Sequence, residues 1–335
     1  MTASATTATA PAVPTADRRF TLPWVKAMAL RYSMFLVMIV VIAYFSYRSV
    51  RFSTVDNLQT ILIAAAPFAL IALGQTLVIL TGGIDLSVGS VIAVAGMTGA
   101  LAAKTYPGQI VLPIIAAVVV GLVAGSINGL LVSRLGVPPF IATLGMLTAA
   151  SGFAYVIGGG APINGLPANF GTIANAKILG LQLPVWVMII GIVVLAIVMR
   201  RTSYGMRVYA VGGNRVASEI AGVNARNILF SVYAVSGALA GLSGIMLASR
   251  VISGAPNLGQ GYELDAIAAV VIGGASLMGG RGTVIGTVLG LLLIQTLNNG
   301  LDILTVPAYW QDVIKGILIV AAVAVDTWSS RRNTV

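Results

Sequence analysis

Reactive side chains are scarce in this chain. Its 335 residues include no Cys and no His, and only 9 Asp and Glu. Disulfides, thiolate or imidazole metal sites, Cys nucleophiles and His acid-base catalysis are therefore excluded. Hydroxyls, amides, a few carboxylates and the backbone remain. A proton- or sodium-driven carrier needs intramembrane carboxylates that titrate or ligate. None stands well inside an apolar run: Asp312 and Lys315 can neutralise one another at i, i+3, and Glu263, Asp265, Asp302 and Asp326 lie near run ends. No catalytic residue, metal site or bound cofactor is expected.

The most informative carboxylate is Asp85, in Gly74-Gln-Thr-Leu-Val-Ile-Leu-Thr-Gly-Gly-Ile-Asp-Leu-Ser-Val-Gly-Ser90. An apolar run ends at Gly82-Gly83, and Asp85 stands where the next helix would begin. It can cap a helix starting at Leu86, because a carboxylate suits the free amides and positive end of a helix. It can also form a gate or substrate contact with Gln75, Thr76, Thr81 and Ser87. The two readings are compatible, since a break at membrane depth is tolerated only beside protein or a cavity.

Further amides interrupt apolar runs at Asn128, Gln295, Asn298 and Asn299, and residues 295, 298 and 299 share one helix face. They either hydrogen-bond between helices or line a pathway of neutral donors and acceptors suited to an uncharged polyhydroxylated solute.

The elements that must position these residues follow from composition. The chain is 58% hydrophobic and 8% charged, with a mean hydropathy of +0.99. Soluble domains carry roughly 25% charge, so this is an all-α integral membrane protein. Runs of about 20 apolar residues predict ten spans, at 31–49, 58–80, 86–103, 110–133, 138–157, 184–200, 228–248, 263–279, 283–300 and 311–328. The glycine-rich runs 86–103 and 263–279 are short enough to be broken helices beside a cavity. Residues 1–30 read as a disordered cytoplasmic tail, 31–328 as the transmembrane domain and 329–335 as a second cytoplasmic tail.

The net charge of +10 is too dispersed for a nucleic-acid surface, but it carries topology. With the amino terminus inside, Arg18, Arg19, Lys26, Arg31, Arg134, Arg200, Arg201, Arg207, Arg215, Arg226, Arg281, Arg331 and Arg332 fall inside, against Arg48, Arg51, Lys104, Lys177 and Arg250 outside. That count of 13 against 5, with Lys315 inside a span, predicts both termini in the cytoplasm, an extracytoplasmic loop at 158–183 and a cytoplasmic one at 201–227. Within the latter, Asn214 suits a helix N-cap, Glu219 sits on the helix that follows, and Gly222 is a natural stop. Val216, Ala217, Ile220 and Val223 share its apolar face. So short a helix needs support, from the membrane surface or from a partner's groove.

Glycines at 121, 125 and 129, and again at 282, 286 and 290, place small residues along one face of two helices. Close helix packing is the favoured reading; their occurrence once in each half also suggests an inverted repeat.

Five segments carry a resemblance to a known family. They are Gly74 to Ser90 as quoted, Ile127-Asn-Gly-Leu-Leu-Val, Pro139-Phe-Ile-Ala-Thr-Leu-Gly-Met, Tyr204-Gly-Met-Arg-Val-Tyr-Ala-Val-Gly-Gly-Asn and Ala266-Ile-Ala-Ala-Val-Val-Ile-Gly-Gly-Ala-Ser-Leu-Met-Gly-Gly. In this order they resemble the ribose-type permeases of bacterial ABC importers, over about residues 55–328. The resemblance implies a ten-helix fold like that of type II importers and alternating access for a monosaccharide. It also implies a homodimer or paired permease in the bacterial inner membrane lipid, a cytoplasmic ATPase that holds ATP-Mg, and an extracytoplasmic sugar-binding protein. Tyr204, Gly205, Gly213, Asn214, Ala217, Glu219 and Gly222 fall in the segment matching the family's ATPase-coupling loop. This chain has no G-x-x-x-x-G-K-[ST] of its own. Met206, Arg207 and Ser218 depart from the usual form of that loop. The rival reading is an ion-coupled carrier of a neutral polar solute.

Overall fold

The computed structural model describes the backbone of residues 22–332. Its helices are α1 (Leu22–Arg48), α2 (Val55–Leu80), α3 (Val88–Thr105), α4 (Val111–Ser133), α5 (Pro139–Gly158), the single turn α6 (Thr172–Asn175), α7 (Leu183–Arg201), α8 (Ser203–Gly213), α9 (Arg215–Ile220), α10 (Ala225–Val251), α11 (Tyr262–Ile272), α12 (Val284–Ile303) and α13 (Ala308–Arg332). A two-residue hairpin, β1 (Lys177–Ile178) with β2 (Leu181–Gln182), precedes α7.

Among the described residues seven helices are long and apolar enough to cross a membrane: α2, α3, α4, α5, α7, α10 and α12. The other three expected spans fall on α1, α11 and α13. The helix α11 has only 11 residues, too few to cross alone. The span expected at 263–279 is therefore corrected to a half-helix followed by an irregular segment at 273–283. Helix α1 begins at Leu22, inside the stretch read as a tail to residue 30, and α13 runs past 328 to Arg332. Residues 1–21 and 333–335 lie outside the described residues.

Helix α2 is the core. Thr54 caps it by accepting from the Asn57 N–H, Asp56 lies in its first turn, and from Ala65 to Leu80 every side chain is buried. The second central helix, α10, crosses α4 on a glycine seam. A Cβ on Gly125 would meet the backbone of Tyr233 and Gly237, and one on Gly237 the backbone of Gly121 and Gly125. Close backbone approach of this kind is how membrane helices gain contact without a hydrophobic driving force. The second glycine stripe has other partners: Gly286 lies on Gly273, and Gly290 on Ala269 at α11. Both stripes are packing surfaces. Outward faces of α4, α5 and α7 stay apolar and exposed, as at Val119, Phe153 and Val194, which suits lipid.

Three irregular segments enter this bundle. Residues 81–87 link α2 to α3. Residues 252–261 run back along α3, from Gly254 against Met97 and Ala100 to Gly259 against Gly89 and Ile92. Their start is tied down by an antiparallel bridge, Ile163 N–H to Gly254 O at 2.7 Å and Gly254 N–H to Ile163 O at 3.1 Å. Tyr262 then stacks edge-on against Phe68, in the middle of α2, so α11 starts at mid-depth. The third segment, 273–283, meets the first: Gly280 N–H donates to Leu80 O at 2.9 Å, and Gly82 packs against Met278 and Gly279.

Candidate transport site and coupling surface

The break after α2 is held by a buried polar network. Gln75 spans the Asp85 peptide unit; with its amide oriented to satisfy both ends, Nε2 donates to the Asp85 carbonyl at 3.1 Å and Oε1 accepts from its N–H at 3.2 Å. Asp85 Oδ1 accepts from the Ser87 N–H at 2.9 Å and the Ser87 hydroxyl at 2.6 Å, and Oδ2 accepts from Ser236 Oγ at 3.2 Å. Asn128 Nδ2 donates to Ser87 Oγ at 2.9 Å. The side chains of Gln75, Asp85, Ser87, Asn128 and Ser236 are all buried.

Asp85 thus shapes an Asx-type turn ahead of the helix, which starts at Val88 with Ser87 at its N-cap position. A cap on a helix starting at Leu86 is corrected accordingly. In this conformation the network braces the break and presents little to solvent.

Other sequence candidates fall apart in space. Thr76 shares a hydroxyl contact of 2.8 Å with Thr287 of α12, and Thr81 bonds locally to Val78 O. Asn299 exchanges two 2.9 Å hydrogen bonds with Asn57 at the start of α2, which is the interhelical reading of that amide. Gln295 and Asn298 are half-buried, and Asn298 Oδ1 has no partner.

A cleft of about 240 Å³ opens beside the break, lined by Gly89, Ser90 and Ala93 of α3, Leu147, Ser151 and Tyr155 of α5, Pro256, Asn257, Leu258 and Gln260 of the returning segment, and Glu263. Ser90 donates its hydroxyl proton to Ser87 O. The side chains of Ser151, Tyr155, Asn257 and Gln260 make no hydrogen bond among the described residues, which leaves the polar groups of these lining residues without a protein partner. Only Glu263 among the lining groups is charged, and its carboxylate lies against Gly89 in the first turn of α3. Glycine is required opposite it: a Cβ on Gly89 would collide with the Gly259 carbonyl at 2.6 Å, a backbone atom, as well as with Glu263 Oε2. Sequence reasoning missed this cleft, because its residues come from three separated segments of unremarkable composition.

At the opposite end of α10 from the Ile163 bridge, α7 leads into α8 and α9. Helix α8, unforeseen in the sequence, is capped by Thr202, whose Oγ1 accepts from the Gly205 N–H, and buries Gly205, Val208 and Val211. Tyr204 OH meets Ser231 Oγ at 2.9 Å, and Tyr209 OH donates to Gly282 O at 2.9 Å. Burial pushes both phenols up; the Ser231 bond partly offsets this at Tyr204. Gly205 lies on the Met199 backbone and Gly212 on Leu80 O, whereas a Cβ on Gly213 would meet nothing.

Helix α9 forms as its residues predict. Asn214 Oδ1 accepts from the Ala217 N–H at 2.9 Å. At the other end the N–H groups of Gly222 and Val223 donate to the carbonyls of Glu219 and Ser218, at 3.0 and 2.9 Å, with Gly222 at φ +83°. That is a complete Schellman stop. Arg215 pairs with Glu219 at 3.1 Å on the surface. Ser218 is the buried residue of this helix, while Val216 is 68% and Ile220 83% exposed.

Broken helices at mid-depth, a cleft of free hydroxyls and amides, and a well-capped helix turning its apolar side chains outward define a membrane transport permease. Residues 57–323 match the family described as branched-chain amino acid transport system / permease component, and the chain belongs to that family. It is 42% identical to the ribose import permease of Escherichia coli K12 over 309 residues, covering 90% of this chain and 95% of that one. Identity to the ribose import permease of Bacillus subtilis 168 is 42% over 274 residues, 81% and 84% of the two chains. Identity to the D-allose transport system permease of Escherichia coli K12 is 36% over 302 residues, 90% and 93%. No solved structure matches.

Proposed function

We propose that this chain is the membrane-spanning subunit of an ATP-driven ABC importer that carries a monosaccharide, a pentose or hexose, across the bacterial inner membrane. It works as a homodimer or paired permease with both termini in the cytoplasm. An extracytoplasmic binding protein delivers the sugar, and a cytoplasmic ATPase holds ATP-Mg and supplies the energy. The relatives that import ribose or allose support the solute class, and an ion-coupled carrier has no support among them.

One observation carries the coupling: α9 satisfies its own ends and leaves Val216 and Ile220 in solvent, so its apolar face is available to a partner's groove. The route inward follows from packing. Docked α9 moves with α8, and α8 rests on Leu80 through Gly212 and on Gly282 through Tyr209. Those contacts lie where the irregular segments 81–87 and 273–283 meet. A push on α9 therefore reaches both breaks and, through Asp85 and Ser87, the first turn of α3 that lines the cleft.

The test is uptake of labelled ribose into proteoliposomes holding the permease, its ATPase and its binding protein. Uptake is expected only with hydrolysable ATP; uptake that persists without ATP or without the ATPase overturns the reading. Glu219→Arg is expected to abolish uptake while leaving membrane insertion intact.

A further inference from the structure

A helix that starts at mid-depth turns its positive end towards the pathway, and in transporters such ends take up anionic groups of the substrate. Two helices do so here, α3 and α11. At each, a carboxylate of the chain itself is already in place: Asp85 holds the Ser87 N–H at the N-cap of α3, and Glu263, in the first turn of α11, lies against Gly89 in the first turn of α3. Neither carboxylate forms an ion pair among the described residues, and no Lys or Arg lines the cleft. Lys315, the cation on the neighbouring α13, is held by Asp265 and Asp312, at 3.3 Å each.

From this arrangement we infer that Glu263 makes the pathway selective for neutral solutes: with Asp85 filling the end of α3 from the buried side, Glu263 occupies the position an anionic substrate group would need and repels it. Glu263 is the member that faces the solute. Its carboxylate, with the free amides of Asn257 and Gln260 and the hydroxyls of Ser151 and Tyr155, takes the hydroxyls of a neutral sugar ring. Sugar acids, sugar phosphates and the carboxylate of an amino acid are rejected. The cleft then acts as a second selectivity step behind the binding protein. This inference rests on the monosaccharide reading and adds a filter within the membrane.

The experiment uses the permease–ATPase complex in lipid nanodiscs without nucleotide, and measures binding of D-ribose and D-ribonate by saturation-transfer NMR with titration. The wild type is expected to prefer ribose by at least roughly tenfold, the ratio that one unfavourable charge contact gives. Glu263→Gln is expected to bring the two ligands within about threefold of each other, and Glu263→Asp to keep the preference. Gln260→Lys, at an exposed lining position, places a cation in the cleft without disturbing a buried group and is expected to reverse the preference towards ribonate. Equal binding of ribose and ribonate by the wild type overturns the inference. So does an unchanged preference in both Glu263→Gln and Gln260→Lys. Absence of ribose binding to a complex that still shows ATP-driven ribose uptake overturns the filter alone, whereas absence of that uptake overturns the sugar reading.

Discussion

Gly212 and Gly213 are adjacent in sequence, yet only one of them has a reason to be glycine in this fold. A Cβ at 212 would strike Leu80 O and the Gly280 N–H, both backbone, so neither can swing aside. Gly212→Ala is expected to cost about 1–3 kcal/mol or more through forced separation, read as a fall in thermal midpoint and in folded yield. Gly213→Ala meets nothing, and its smaller unfolded-state entropy predicts a gain of about 0.4–1 kcal/mol. The sequence motif names both glycines and cannot rank them, because the difference lies in Leu80 and Gly280, far away in the chain. Asp85 shows the same limit at shorter range. Its role at a break was legible from Gly82-Gly83, but the helix start was set two residues early. The side chain bonds Ser87 locally and keeps residues 85–87 out of the helix.

Elements were legible where their own residues specify both ends. In α9, Asn214 and Gly222 do so. Helix α8 was not, because Gly205, Gly212 and Gly213 lower its intrinsic propensity, and what overrides this is close packing that only tertiary structure reveals. Exposure of Ile220 gives a prediction for α9: Ile220→Asp leaves the permease's thermal midpoint unchanged and lowers ATP-driven uptake at least roughly tenfold, the change expected for loss of a buried apolar anchor. A lowered midpoint with normal uptake would instead make the helix structural. Helix α11 is too short to cross the membrane alone, and its first turn is tied to α13 by Lys315 with Asp265. Both side chains are largely buried, at 20% and 13% exposure, while Asp312 is 74% exposed. Removing one partner of a buried pair strands the other, so Lys315→Ala is expected to destabilise by about 3–5 kcal/mol. Asp312→Ala leaves the buried pair intact and is expected to change stability by less than about 1 kcal/mol. Chemical denaturation of the detergent-solubilised protein distinguishes the two.

For the whole molecule, composition and run length were enough to place most of the helices, since both follow from the bilayer's thickness. The cleft was out of reach, because it exists only where the returning segment 252–261 lies back along α3 and opposite α5. That geometry defines what must move. Helices α2, α3 and α10 are the buried centre, whereas α5 turns much of its surface outward and closes one wall of the cleft with Leu147, Ser151 and Tyr155. On the proposed reading, in which this cleft is the pathway, solute that enters from one side and leaves from the other requires this wall and the segment from Pro256 to Gln260 to separate and rejoin. Because the chain contains no Cys, a pair can be introduced without background. Ser151→Cys with Asn257→Cys spans the cleft, and bridging the two thiols with a short bis-thiosulfonate reagent is expected to abolish ribose uptake while ATPase binding persists. Reductant is expected to restore uptake, and each single variant is expected to keep, after the same treatment, the uptake it shows untreated. Undiminished uptake in the bridged double variant, with bridging verified by mass spectrometry, would show that solute passes without this cleft opening and would place the pathway elsewhere in the assembly.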